Sequence, residues 1–445
     1  MAQEPRRDPR ILSILTALAA VALLAASAAP AIAQAQTIKI GTLYDHSGPF
    51  SAAGSLNSWR GAKMIIDYVN ERGGVLGKYK IVQVDGDSQS KADVAINEAE
   101  RLLNVEKVDI LAGIYSSAHA VPIAERVDKQ KKFLWITTAI ADAVVKDRNL
   151  QYTFRPQANG TLFGTGTVDY IANYAQERFK KAPKDLRIAI IYEDGPYGAG
   201  VAASNESEGK KVGMQIVLKE GYSAQAADLS SLVTKLRAAR PDVLFHTGYN
   251  PDINLFLRQA KEQGLRLRAY VGHGAGHSQL DKLKEAFGND VEGFHTSDPP
   301  ASQLIDPKNL KPGVAAMTQE MVKRYKAFEP NVAVNNIAPH VSMGFNNMWI
   351  LLNDVLPRAI QKHGGFSAEA LAAAARETDI PEGGTMQGYG VKFFGEGNPM
   401  RGQNERAIAA VYQVVDGQFR HVWPKIIATP NPPVLLPASS PWAAR

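Results

Sequence analysis

From residue 37 onward the chain alternates short apolar runs with longer stretches whose apolar residues recur at helical spacing. Ile38, Ile40 and Leu43 mark a first strand. A helix over 54–72 follows, carrying Trp59, Ala62, Ile65, Ile66 and Val69 and stopped by Gly73-Gly74. A second strand spans 80–84, turned by Asp85-Gly86-Asp87, and Ser90-x-x-Asp93 reads as a capping box for the next helix. The run 109–112 is brief and ends at Gly113, which predicts a buried strand, and 133–136 predicts a fourth. The order β-α-β-α-β-α-β implies a parallel sheet with helices on both faces.

The same alternation restarts after Phe154-Arg155-Pro156. Helices are expected over 162–174, 198–211 and 229–239, and strands over 187–192, 214–218 and 243–246. Asn250 as cap and Pro251 at the first position open a further helix that stops at Gly264. Strands at 269–272 and 292–296 complete a second doubly wound domain, alike in architecture without a sequence repeat. Residues 298–312 read as a proline-rich crossing segment. Helices over 314–328 and 341–363 follow, the latter with an aromatic and methionine stripe that reads as core. Strands at 390–394 and 407–415 then lead to a hairpin at Asp416-Gly417 and a last strand over 419–423. Six prolines from Pro424 to Pro441 predict an extended tail without a core of its own.

In open sheets of this kind ligands sit beyond the carboxyl ends of the strands. Three loops of the first half fall there: 45–50, 115–118 and 137–142. In the serine loop, Tyr115-Ser116-Ser117 precedes a helix that Pro122 requires to begin between 117 and 121. Unpaired N–H groups at such a helix start, with two hydroxyls beside them, suit a carboxylate or another acceptor. One serine could equally serve only as the helix cap. The second half offers Tyr197 in Glu193-Asp194-Gly195-Pro196-Tyr197-Gly198 and Tyr249 in Gly248-Tyr249-Asn250-Pro251, both read as cleft contacts.

Composition narrows the partners. Arg6, Arg7 and Arg10, an apolar run over 11–26 and Ala31-Ile32-Ala33 form a secretory signal over 1–33, cut before Gln34. With no cysteine, a lipid anchor at that cut and any disulfide are ruled out. The net charge is +6; losing Arg6, Arg7, Arg10, Glu4 and Asp8 leaves +5, with no basic tract for nucleic acid. The chain lacks G-x-S-x-G and H-E-x-x-H, which weighs against a secreted hydrolase. His273 and His277 stand four apart, yet the glycines around them disfavour the helix a shared metal would need. No cofactor fingerprint is complete.

The segments IKIGTLYDHSGPFSAAG, RGAKMIIDYVNERGGVLG, GIYSSA, RIAIIYEDGPYGAG and FHTGYNPDINLFLRQAKEQGL, in this order, resemble the leucine/isoleucine/valine-binding family of periplasmic solute-binding proteins that serve ABC transporters. The resemblance runs from Ile38 to about Trp423. It implies two α/β lobes joined by three crossings and closing on a small ligand: 37–155 with 299–412 as lobe 1, 156–298 with 413–423 as lobe 2, and 424–445 as the tail. It assigns the carboxylate site to Ser116 and Ser117, the next strand-end loop to Ala139–Ala141, and the second-lobe aromatics to Tyr197 and Tyr249, with Tyr115 beside them. The positions that hold an amino acid's ammonium in that family fall here on Ala141, on Asn159-Gly160 and on His273-Gly274. Asp45, Glu193 and Asp194 are the possible substitutes. The expected ligand is therefore a small organic or aromatic acid or an amide in preference to a branched-chain amino acid. The expected partner is an ABC permease and the expected state a monomer; a sensor that presents its closed form to a receptor is the alternative.

Overall fold

The computed structural model describes residues 37–444, so the secretory signal lies outside the described residues. Strands β1 (Thr37–Tyr44), β2 (Lys80–Asp87), β3 (Ile110–Gly113), β4 (Phe133–Ile136) and β5 (Thr153–Phe154) form one sheet in the order β2-β1-β3-β4-β5. The pairs β1/β3, β3/β4 and β4/β5 are parallel. Strands β6 (Arg187–Glu193), β7 (Gln215–Tyr222), β8 (Val243–Thr247), β9 (Ala269–His273) and β10 (His295–Asp298) form the parallel part of a second sheet. A small antiparallel pair, β11 (Asp379–Ile380) with β12 (Val391–Lys392), stands apart. Then β13 (Ala410–Val415) and β14 (Gln418–Trp423) join the second sheet antiparallel, giving β14-β13-β10-β9-β8-β6-β7. Helices cover both faces of each sheet, because strands buried on both sides need apolar cover on both.

Several local expectations change. The second sheet takes up the chain at Ala410, so residues 410–412, expected in lobe 1, belong to lobe 2. Asp85-Gly86-Asp87 does not turn; β2 runs through it to Asp87. The capping box at Ser90 does not form. The cap position is Lys91, and the Ser90 hydroxyl instead accepts from Phe50 N at 2.9 Å. The helix expected from an Asn250 cap starts one residue earlier, with Tyr249 as cap and the Asp252 carboxylate accepting from Tyr249 N at 2.9 Å.

The tail is no loose extension either. Leu436, Trp442 and Ala443 enter the core of the second lobe, Leu267 N donates to Trp442 O at 2.8 Å, and Ala444 N donates to Leu267 O at 2.8 Å. Proline spacing reports an extended backbone but not what its few large side chains cover.

Both sheets reverse direction of winding at one point: between β1 and β3 in the first, between β6 and β8 in the second. The loops leaving those four strands diverge there and leave a crevice. The serine loop follows β3, Tyr197 follows β6 and Tyr249 follows β8, so topology brings all three to the space between the lobes. Arg155 holds the first crossing. Fully buried, it donates from Nε to Gln403 Oε1 at 2.5 Å and from Nη1 to Ala141 O at 2.7 Å, and burial lowers its pKa to about 10. It stays cationic at neutral pH and ties the third crossing to the first lobe.

Candidate functional site

The helix Ser117–Lys129 begins at Ser117, within the range that Pro122 sets, although Pro122 itself sits in the second turn. Ser116 is the cap residue but its side chain does not cap; it is buried against the Tyr249 phenol. The Ser117 hydroxyl accepts from Ala141 N at 3.1 Å, which leaves its own proton to be donated into the cleft. With the positive end of the helix behind it, this hydroxyl favours an anionic or carbonyl oxygen.

The opposing lobe supplies an aromatic wall. Tyr249 stacks on Phe50 of the first lobe at 4.2 Å between ring centres, and lies 5.5 Å from Tyr197 and 6.2 Å from Tyr115. The Tyr197 hydroxyl donates to His273 O. Burial pushes the Tyr115, Tyr197 and Tyr249 phenols well above their ordinary range, so all three stay neutral. A small cavity of about 30 Å³ lies among these rings, lined also by Ser117, Thr138, Ile140, Phe163, Gly274 and Ala275.

Asp298 and His340 also line the cavity. Asp298, at the end of β10, is buried, and desolvation raises its pKa to about 7. His340 opens the helix Pro339–Ile350, and burial lowers its pKa to about 3. Its Nδ1 is 3.7 Å from Asp298 Oδ2.

The two sheets, the crevice at the winding reversals and the carboxylate-oriented helix start agree with one family model, described as periplasmic binding protein, which matches residues 37–418. The chain belongs to the periplasmic binding protein family. Among relatives of this periplasmic binding protein, the "Leu/Ile/Val-binding protein homolog 7" of Brucella suis biovar 1 is 35% identical over 415 residues, 93% of this chain and 97% of that protein. A leucine-binding protein from Thermotoga maritima superposes with a TM-score of 0.70 at 21% identity, covering 86% of this chain and 97% of its own. A solute-binding protein of an ABC transporter from Rhodopseudomonas palustris, solved with 4-hydroxybenzoate, gives 0.66 at 17% identity over 86% and 95% of the two chains. These two likenesses concern the fold. Members of this family are binding proteins.

Within the cleft of this periplasmic binding protein the expected residues divide. Tyr115, Ser117, Tyr197, Tyr249 and Gly274 line the cavity. Ala139 and Ala141 do not; they belong to the first lobe's core, and Thr138 and Ile140 take the cleft-facing positions, because successive residues of an extended loop face opposite ways. The His273 side chain points away, held by Thr167 Oγ1 at 3.1 Å from Nε2 and Thr247 Oγ1 at 3.0 Å from Nδ1; burial lowers its pKa to about 3. Nor does it pair with His277, whose Nε2 meets the Tyr270 hydroxyl at 2.8 Å. Among the described residues no group of three or more His, Cys, Asp or Glu side chains could hold a metal.

Of the acids considered for an ammonium, Asp45 takes Ser88 Oγ at 2.5 Å and Ser90 N at 2.9 Å, and Glu193 takes Gly195 N at 2.7 Å and Gly198 N at 2.6 Å. Glu193 thus has both oxygens engaged by its own loop, whereas Asp45 is held through Oδ1 by the loop after β2 and does not line the cavity. The acid that faces the cavity is Asp298, which sequence reasoning placed in a crossing and passed over. Its signal was available: a carboxylate at the carboxyl end of a strand, immediately before Pro299-Pro300.

Proposed function

We propose that this chain is the periplasmic solute-binding component of an ABC transporter, not an enzyme, and that it captures a small carboxylate or amide between its lobes for delivery to a membrane permease. Ser117 at a helix start, beside Tyr115 and opposite the neutral phenols of Tyr197 and Tyr249, is the observation that carries this reading. A micromolar affinity needs about −8 kcal/mol, which a ligand of some ten heavy atoms reaches only when nearly enclosed. Enclosure needs both lobes, so ligand binding shifts an open–closed equilibrium and the closed form is what the permease meets. Solute classes named for similar proteins, branched-chain amino acids and 4-hydroxybenzoate, share a carboxylate on a compact apolar body. The protein acts as a monomer released by cleavage before Gln34, which intact-mass measurement on the periplasmic fraction checks; a retained Met1 would contradict it.

Thermal shift of the purified protein against panels of amino acids, aromatic acids and amides tests the function. A true ligand at a hundredfold excess over Kd adds about 2.7 kcal/mol and moves the midpoint by a degree or more. If no carboxylate or amide shifts it, the reading fails.

A further inference from the structure

We infer that closure itself assembles a donor-reading pole from Asp298 and His340, so that the cleft selects a small carboxylate bearing an ammonium or hydroxyl group over the bare acid. This rests on the solute-binding function proposed above and narrows its ligand class.

The inference follows from a chain of side chains that crosses between the lobes. Arg60 Nη1 and the Tyr325 hydroxyl both approach Asn57 Oδ1, at 3.5 and 3.0 Å. Arginine can only donate, so this oxygen is the acceptor and the Asn57 amide nitrogen faces the other lobe. There it donates to Gln279 Oε1 at 2.7 Å. Gln279 then turns its own amide nitrogen back to the first lobe, 3.1 Å from His340 Nδ1. An amide N–H donates, so His340 Nδ1 must accept, and the ring proton resides on Nε2.

That assignment decides what Asp298 can bind. With Asp298 ionised, His340 Nδ1 and Asp298 Oδ2, 3.7 Å apart, are both acceptors and no hydrogen bond joins them. Ser278 reaches the Asp298 carboxylate, but Oδ2 is buried without a hydrogen bond. A desolvated carboxylate oxygen without a donor is costly, and a donor brought by the ligand removes that cost. The hydroxyl of Ser117 and the start of its helix serve the ligand's carboxylate, so the Ser117 and Asp298 linings of the cavity prefer opposite hydrogen-bonding partners. Gln279 stands on the second lobe, Asn57 and His340 on the first, so the relay exists only when the lobes meet.

Isothermal calorimetry with two probe pairs tests this: leucine against 4-methylpentanoate, and 4-hydroxybenzoate against benzoate. The first pair isolates the ammonium and the second the hydroxyl. Wild-type protein is expected to bind the donor-bearing member of at least one pair roughly tenfold or more tightly, the scale of one charge-assisted hydrogen bond. Asp298→Asn removes the charge that calls for a donor, and Gln279→Leu frees the imidazole to carry its proton on Nδ1 and donate it to Asp298. Either variant is expected to bring the ratio within about threefold, and ¹⁵N shifts of His340 report the tautomer change in Gln279→Leu. Should Asp298→Asn fail to fold, Gln279→Leu decides alone. A wild type that does not distinguish the members of either pair, or a ratio unchanged in the folded variants, overturns this inference alone. Binding to none of the four probes overturns the ligand class proposed above and this inference with it.

Discussion

Taking the protein from pH 7 to pH 5 should cost it about 6 kcal/mol of folding stability. Burial lowers the pKa of His273, His277, His340 and His421 to about 3 and of His295 to about 4. Each imidazole is neutral in the fold yet takes a proton in the unfolded chain below about 6.5, so stability is present above that pH and drains as pH falls toward 3. At pH 5 the loss is about 2 kcal/mol for each of the five. Two carboxyls act the other way. Asp252 and Asp298 are raised to about 7, so the fold holds their protons more tightly than the unfolded chain does, and each returns about 2 kcal/mol over the same interval. The remainder is a large share of the 5–15 kcal/mol typical of a folded protein. His246, pushed well below its ordinary value, adds to the loss. Of these groups only His340 lies outside the second lobe, so acid unfolding should begin there. Urea unfolding followed by tryptophan fluorescence at pH 7, 6 and 5 measures it, and an unchanged midpoint from pH 7 to 5 would refute the reasoning.

Three further outcomes are expected. Tyr197→Ala and Tyr249→Ala should each weaken solute binding with the fold intact, since an aromatic contact adds about 0.5–1.5 kcal/mol beyond its area; calorimetry reads both, and Tyr249→Ala should lose more because it also removes the stack on Phe50. Gly274 has φ +48°, and a Cβ there would stand 3.2 Å from both Phe163 and the Tyr197 hydroxyl. Gly274→Ala should therefore lower affinity and thermal midpoint together, by about 1 kcal/mol or more in stability. Trp442→Ala should cost about 3–5 kcal/mol, visible as an earlier thermal transition, because Trp442 is a buried member of the second lobe's core.

Periodicity carried most of the architecture into view. Ile38, Ile40 and Leu43 do lie in β1, and the spacing of Ile65 and Ile66 does bury them under the first sheet. What stayed hidden is where tertiary contacts choose among equal local options. Nothing local tells whether Ala139 or Ile140 faces the cleft, for one residue of phase separates them. Ser90 and Asp93 have the spacing of a capping box, yet Asp45 and Phe50 claim Ser90 from a distant loop. Asp298 and His340 are separated by a proline-rich crossing and a helix, and only the folded chain brings them within 4 Å.

The anchoring of Trp442 beside Leu267 bears on the order in which the molecule can be completed. The second lobe draws on β6 to β10 and then, after the chain has returned to the first lobe, on β13, β14 and the segment that ends at Ala444. A nascent chain that has made only the earlier strands carries an open edge along β10 and an uncovered apolar face where Trp442 will sit. Such a half-built lobe is poorly protected and slow to commit, since its last contacts bridge a long stretch of intervening chain. That delay postpones a finished second lobe until the segment ending at Ala444 has been made.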